Sequence, residues 1–386
     1  MLTVLVASLC AAQPAHLPLL GDAGRGADGY PKQYVDRVAL RAMLRDGKFD
    51  DLTAALTEAQ TEFETDTTLE YWPLDAADAV GTGELELRPR LDAWCKANPT
   101  SFAPWLARGT HHVRRAMVVR GTRYIKDTPA SAIKAMKAEL ALAVTDLEKA
   151  LKLKSESIDA VRMLILVRRL LGEDPSSLIR TVFQKCPDCF QVRVNVMNSL
   201  APRWGGSYEL MESFAKSSAE RDNPRMKVLP GLVLLDKYEM GLLGDEALRR
   251  ALELGEYWYF YVELAKSQSQ FDPRSARAAA DRAAELRPMA PEVVDVQLLA
   301  AARMGAWEEA GRLWSLAHQL DPTLDSLKLT HDALARQLPA IARAREREGS
   351  PKLALTLYDV VVELSPKDAT LRAERDALRT SLDAGR

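Results

Sequence analysis

Four cysteines, five histidines and a net charge of -2 are little for a chain of 386 residues, and each scarcity removes a class of function. The near-zero charge offers no domain-wide positive field to capture phosphates, so nucleic acid is not an expected partner. Zinc needs four ligands. Cys186 and Cys189 supply two, and the nearest histidine pair, His111 and His112, lacks ligand spacing, so no metal and no cofactor is expected. The apolar run from Leu2 to Ala12 is too short to span a bilayer, and no other segment qualifies. No HExxH, GxSxG or GxxxxGK[ST] pattern occurs, and the glycine-rich stretch 21–29 follows no predicted strand, so no catalytic residue is assigned. Alternating β-branched runs are almost missing, which leaves an all-α reading.

What is present is apolar periodicity. Hydrophobic residues make up 47% and charged residues 27%, enough for a large core, and most of the 20 prolines fall where periodic segments end. The phrase Ala283-Ala-Glu-Leu-Arg-Pro288 returns as Ala317-His-Gln-Leu-Asp-Pro322, 34 residues later. Ala276 and Ala310 lie seven positions before Ala283 and Ala317, so small residues two turns apart let a neighbouring helix approach. A 34-residue period of this kind resembles the tetratricopeptide repeat, a helix-turn-helix unit that stacks into a solenoid. Ala143 and Ala150 repeat the spacing earlier, and Ala354 with Pro366 suggests a last unit offset by 44 residues instead of 34. The expected fold is an all-α solenoid of sixteen to nineteen helices, degenerate in its N-terminal half and closed by a polar C-terminal helix at 369–382.

The first half carries a second resemblance. The string from Tyr34 to Asp50, the segment around Trp94 and Cys95, and Pro202-Arg-Trp-Gly-Gly-Ser-Tyr-Glu209 are similar to a bacterial family of helical-repeat proteins of unknown function, over roughly residues 34 to 220. That resemblance implies a repeat fold and a bacterial origin, and carries no active site. The organisation expected is a signal peptide and Gly/Ala-rich linker over 1–30, an N-terminal helical domain over 31–222, and C-terminal repeats over 223–386. The dividing line is the polar break at 219–224. The apolar start, followed by small residues near Ala12 and Ala15, points to a periplasmic or secreted protein, with a cytoplasmic one as the alternative.

Candidate sites follow from the repeat. Groove positions 2, 5, 9 and 12 of a unit's first helix share a face. Here they fall on Trp258, Tyr261, Ala265 and Gln268, then on Glu292, Asp295, Leu299 and Ala302, with Phe260 and Leu264 inward. Trp258 and Tyr261 are stiff aromatic anchors suited to a peptide or helix, weighed against burial of all five aromatics from Tyr257 to Tyr261. Arg108, His112 and Arg115 share a helix face and form a weaker basic patch for a phosphate or acidic peptide, unless they pair with acidic neighbours. Cys186 and Cys189 read as a structural pair, or as a disulfide in an oxidising compartment, since no strand leads into them as thioredoxin-like chemistry requires. In Pro202 to Ser207, the two glycines allow a tight turn, Ser207 caps the next helix, and Trp204 plugs the joint. The function expected is a non-catalytic scaffold for a protein or peptide. A redox enzyme using Cys186 and Cys189, and an immunity-type protein wrapping a toxin, are the rivals.

Overall fold

The computed structural model describes residues 16–121 and 127–384. The expected signal segment and its cleavage positions lie outside the described residues. Nineteen α-helices are present among the described residues, and the only sheet there is a two-residue pairing, Leu19–Leu20 antiparallel to Tyr34–Val35. Helices pack as consecutive pairs: Ala103–Arg120 on Ala130–Leu153, Trp258–Gln268 on Pro273–Leu286, and Pro291–Arg303 on Trp307–Leu320. Each pair leans on the next, as a solenoid requires.

The alanines that spell the period are the contact surface. Ala143, Ala150, Ala276, Ala283, Ala310 and Ala317 are all fully buried, so the helices meet where side chains are smallest. Gly109 takes this further: a Cβ there would stand 2.7 Å from Leu147 Cγ. The irregular last unit has a simple cause. The Asp325–Arg347 helix has 23 residues where Pro291–Arg303 has 13, and those ten extra residues turn a 34-residue offset into one of 44. The Ala369–Ala384 helix then covers Pro351–Leu364, with Leu371 and Leu378 inward and a mostly charged outer face.

Helix ends follow local chemistry. Gly47, left-handed at φ 73°, ends Arg37–Asp46 as the Asp46-Gly47 step suggests. Ser207 accepts the Leu210 amide at 3.2 Å and caps Tyr208–Ala219. Before it, Gly205 takes φ 87°, and Gly206 leaves no room for a Cβ, which would fall 1.9 Å from the Leu200 carbonyl oxygen. Trp204 does not plug this joint. It is exposed on one side, with the Arg169 guanidinium 4.9 Å from its ring centre.

Within 16–30 the chain is packed: Leu17 and Tyr30 are buried, and the hairpin loop is tied to Thr68, Asn223 and Arg225. At 219–224 the backbone turns, but one apolar core runs across it from Phe190 and Met211 through Met226 and Leu232 to Phe260. The array also curls back on itself. The Arg37–Asp46 helix packs against Trp307–Leu320, and Val38 joins the C-terminal core.

Candidate functional site

Closure of the array brings five separate stretches of chain, together with Phe190, around one cavity of about 770 Å³. The N-terminal hairpin forms one wall, the start of Tyr71–Val80 another, and the turn at 224–228 a third. The start of Trp258–Gln268 and the end of Pro273–Leu286 complete it.

Its wall is a ladder of alternating rings and guanidiniums. The Arg225 Cζ lies 3.4 Å from the Tyr30 ring centre and 5.3 Å from that of Tyr71. Arg287 Cζ lies 3.7 Å from the centre of the same Tyr71 ring and 5.7 Å from that of Trp258. A guanidinium is flat and weakly hydrated, so it stacks on ring faces while its edge donates hydrogen bonds. Those edges are anchored: Arg225 Nε and Nη2 reach Asp28 at 2.8 and 2.7 Å, while Arg287 and Arg37 share the buried Asp75 carboxylate.

Behind the ladder sits a carboxylate with no water contact. Glu70 is fully buried and accepts the Tyr30 hydroxyl at 2.6 Å and the Phe190 and Gln191 amides at 3.1 and 2.8 Å. These two amides open the Phe190–Ser199 helix, whose positive end suits a carboxylate. Burial pushes Glu70 above the ordinary carboxylate range. Asn223 joins the two sides, donating to the Tyr30 hydroxyl and the Asp188 carbonyl at 2.7 and 2.8 Å. Burial also raises the Tyr71 hydroxyl, against the pull of Arg287 and Arg225.

Of the expected groove residues, Trp258 lines this cavity, half-buried, with its indole N–H lacking an acceptor. Tyr261 is half-buried one turn further on, and its hydroxyl donates to Glu256 at 2.9 Å. Phe260 is fully buried as core, and so is Ala265, which the repeat register had placed on the groove. Val262 at full burial explains this: the inward stripe of the helix runs through 262 and 265, beside Trp258. Gln268 is half-buried. Glu292, Asp295 and Leu299 lie half-buried on the neighbouring Pro291–Arg303 helix, which packs against Trp258–Gln268. Asp295 is partly committed, accepting the Ser326 amide at 3.2 Å near the start of Asp325–Arg347. The five aromatics thus divide: Tyr257 and Phe260 are core, while Trp258, Tyr259 and Tyr261 keep part of their surface.

Arg108, His112 and Arg115 lie among acidic neighbours. Arg108 clasps Asp146 through Nε and Nη2, both at 2.8 Å, and reaches Asp92 at 2.8 Å. His112 is buried and meets Glu139 at 2.7 Å. Arg115 reaches the Gly83 carbonyl at 3.5 Å. The acids come from the flanking helices, so Arg108 is committed to an internal seam in which His112 is buried, and Arg115 is half-buried beside it. Arg123 and Lys126, which continue this basic stretch in the sequence, lie outside the described residues.

Cys186 and Cys189 are joined by a disulfide, both buried among Val161, Ile165, Val182 and Val192. A helix, Ser176–Lys185, leads into the pair, and Cys95 is the free, buried cysteine among the described residues. No group of three His, Cys, Asp or Glu among the described residues could hold a metal ion, and no helix there is long and apolar enough to cross a membrane.

Sequence reasoning missed the ladder. Arg287 stood inside the repeat phrase, but as a spelling of the period; its counterpart in the next unit is Asp321. Tyr30 ends the segment read as a linker, and Arg225 lies just past the break read at 219–224. The change from Arg287 to Asp321, the one charge reversal between the two phrases, was the one available signal.

Among the described residues the fold is an all-α solenoid of consecutively paired helices. Within it, residues 36–185 match the family described as Domain of unknown function (DUF4034). The match begins where the Tyr34 string was noted and stops short of Pro202 to Glu209, which lies outside it. No curated protein matches the chain. Among solved structures, the crystal structure of yeast Tom70 is similar over 90% of this chain and 96% of its own, at 15% identity and a TM-score of 0.25.

Proposed function

We propose that this chain is a non-catalytic binding protein that holds a protein or peptide against its concave face. The observation that carries this reading is the half-buried wall of Trp258, Tyr261 and Leu299, on two neighbouring first helices of the repeat array. Aromatic side chains on a rigid helix offer large contact area with few torsions to freeze, the pattern of binding hot spots. A solenoid suits this role because each unit is held by its neighbours, leaving the inner face free for a partner. The division of labour we propose is an N-terminal unit ending near residue 222 and C-terminal repeats that carry the contact wall. An oxidising compartment, periplasmic or extracellular, agrees with the Cys186–Cys189 disulfide.

Photocrosslinking separates this reading from incidental stickiness. A photoreactive residue at Tyr261 or Leu299 in the full chain, expressed in its native cells, should trap one protein. The same group at Phe271, exposed in the turn between two helices, should not trap it. Equal trapping at Phe271, or none at Tyr261 and Leu299, would count against the concave face as the contact surface.

A further inference from the structure

The cavity beside the wall has a chemistry of its own. We propose that it binds a small molecule that combines a planar aromatic ring with an anionic group. This goes beyond the scaffold reading and does not depend on it.

Size is the first observation. About 770 Å³ falls in the range of roughly 300–1,000 Å³ that small-molecule sites occupy. The walls are fixed at this size because Tyr30 and Asp28 tie the hairpin to Asn223 and Arg225 on the far side. The lining is richer in apolar than polar surface, and it includes the half-buried Trp72 and Trp258, with Phe190 buried behind them. Partly open indoles of this kind receive a flat ring by offset or edge-on stacking.

Charge is the second. Among the described residues, two buried polar atoms of the lining side chains have no hydrogen-bond partner, Trp258 Nε1 and Arg287 Nη1. Both are donors. They belong to side chains already in contact, the guanidinium carbon 5.7 Å from the indole centre. Buried donors without acceptors are costly, and an anion beside them is the acceptor that relieves both. The acids of the lining do not repel such a group, because most are already neutralised. Asp28 is held by Arg225, Asp75 by Arg37 with Arg287, and Glu256 with Glu285 by Arg282. Asp22 is the one lining acid with no ion pair among the described residues, against two exposed lysines, Lys32 and Lys227, that also have none. With Arg37 and Arg282 counted beside Lys32, Arg225, Lys227 and Arg287, six cations meet the five acids of the lining, an excess of one positive charge.

Isothermal titration of the full chain with naphthalene-1-acetate, and with naphthalene-1-ethylamine as a bicyclic probe of opposite charge, tests both halves. The expected result is one site for the acetate, with the amine at least about tenfold weaker, since one charge-assisted hydrogen bond is worth about that factor. Arg287→Gln should weaken the acetate about tenfold or more. Trp258→Phe keeps a ring and removes the N–H, so it should weaken the acetate severalfold in a protein that folds even where the arginine variant does not. Equal binding of acid and amine, no binding of the acid, or full affinity in Trp258→Phe would overturn the proposal. None of these outcomes bears on capture of a protein partner, so the two readings fail separately.

Discussion

Asp75 and Arg287 form an ion pair across 212 residues of chain, and that pair is where the array closes on itself. Asp75 stands on the Tyr71–Val80 helix in the first half and Arg287 just beyond Pro273–Leu286 in the second. Arg37 completes the triad, 2.6 Å from the same carboxylate oxygen. Two cations on one buried acid make its removal costlier than removal of either cation. Asp75→Ala should cost about 3–5 kcal/mol, the usual loss when one partner of a buried ion pair is deleted. Arg287→Ala should cost less, because Arg37 still holds Asp75. Urea denaturation of the two single variants and the double variant gives the coupling, expected at about 0.5–3 kcal/mol. Additive losses would mean that the pair does not hold the closure together.

Close helix approach makes a second expectation. Gly109→Ala places a methyl 2.7 Å from Leu147 Cγ, on a side chain locked in the core between Ala103–Arg120 and Ala130–Leu153. Overpacking of that kind costs about 1–3 kcal/mol. Thermal melting should show a clear drop, whereas alanine at the exposed Gly244, which has nothing within 4 Å, should melt close to wild type.

Much of this architecture is legible in the sequence, and the reason is periodicity. Ala276, Ala283, Ala310 and Ala317 are small because another helix lies on them, so their spacing reports packing directly. Ser207 and Gly47 act through neighbours in the chain, and their roles could be read locally. The ladder could not. Tyr30, Tyr71, Arg225 and Arg287 meet only because the solenoid curls, and curvature is a sum of small rotations that no local pattern records. Arg108 and His112 show the same limit from the other side: a shared helix face is legible in the sequence, but the acids that meet it, Asp146 and Glu139, stand on another helix and are not.

Acidity gives a third expectation. Asp159 is fully buried on the Ile158–Leu171 helix, beside Arg162 at 2.5 Å. Burial, resisted by Arg162 and reinforced by the nearby Asp78, pushes its pKa up to about 6. Arg114 also faces this cluster, through its contact with Asp78. Because the folded state holds the Asp159 proton more tightly than the unfolded state does, this group's contribution to stability is full at low pH. It is lost as pH rises from about 4 to about 6, at up to about 1.4 kcal/mol per pH unit. Asp159→Asn should flatten the stability profile across that window in urea melts. An unchanged slope would show that another group dominates there.

The disulfide makes a smaller contribution. Cys186 and Cys189 are three positions apart, so the loop they close is short. Chain entropy then gives about 2 kcal/mol, well below what a long loop gains. Full reduction should lower the urea midpoint while leaving the far-ultraviolet circular dichroism unchanged below the transition. Loss of helical signal on reduction alone would contradict a local, structural role.

The most direct test is affinity capture from native cell extract with the full chain and with its Trp258→Ala/Tyr261→Ala variant, each first checked by thermal melting. Both side chains are half-buried, so the variant should stay folded with a lowered melting temperature. The expected result is one stoichiometric protein with the wild-type chain, reduced by about 30-fold or more with the variant, the loss of a hot spot worth about 2 kcal/mol. A folded variant that captures the same protein equally well would contradict binding through this face.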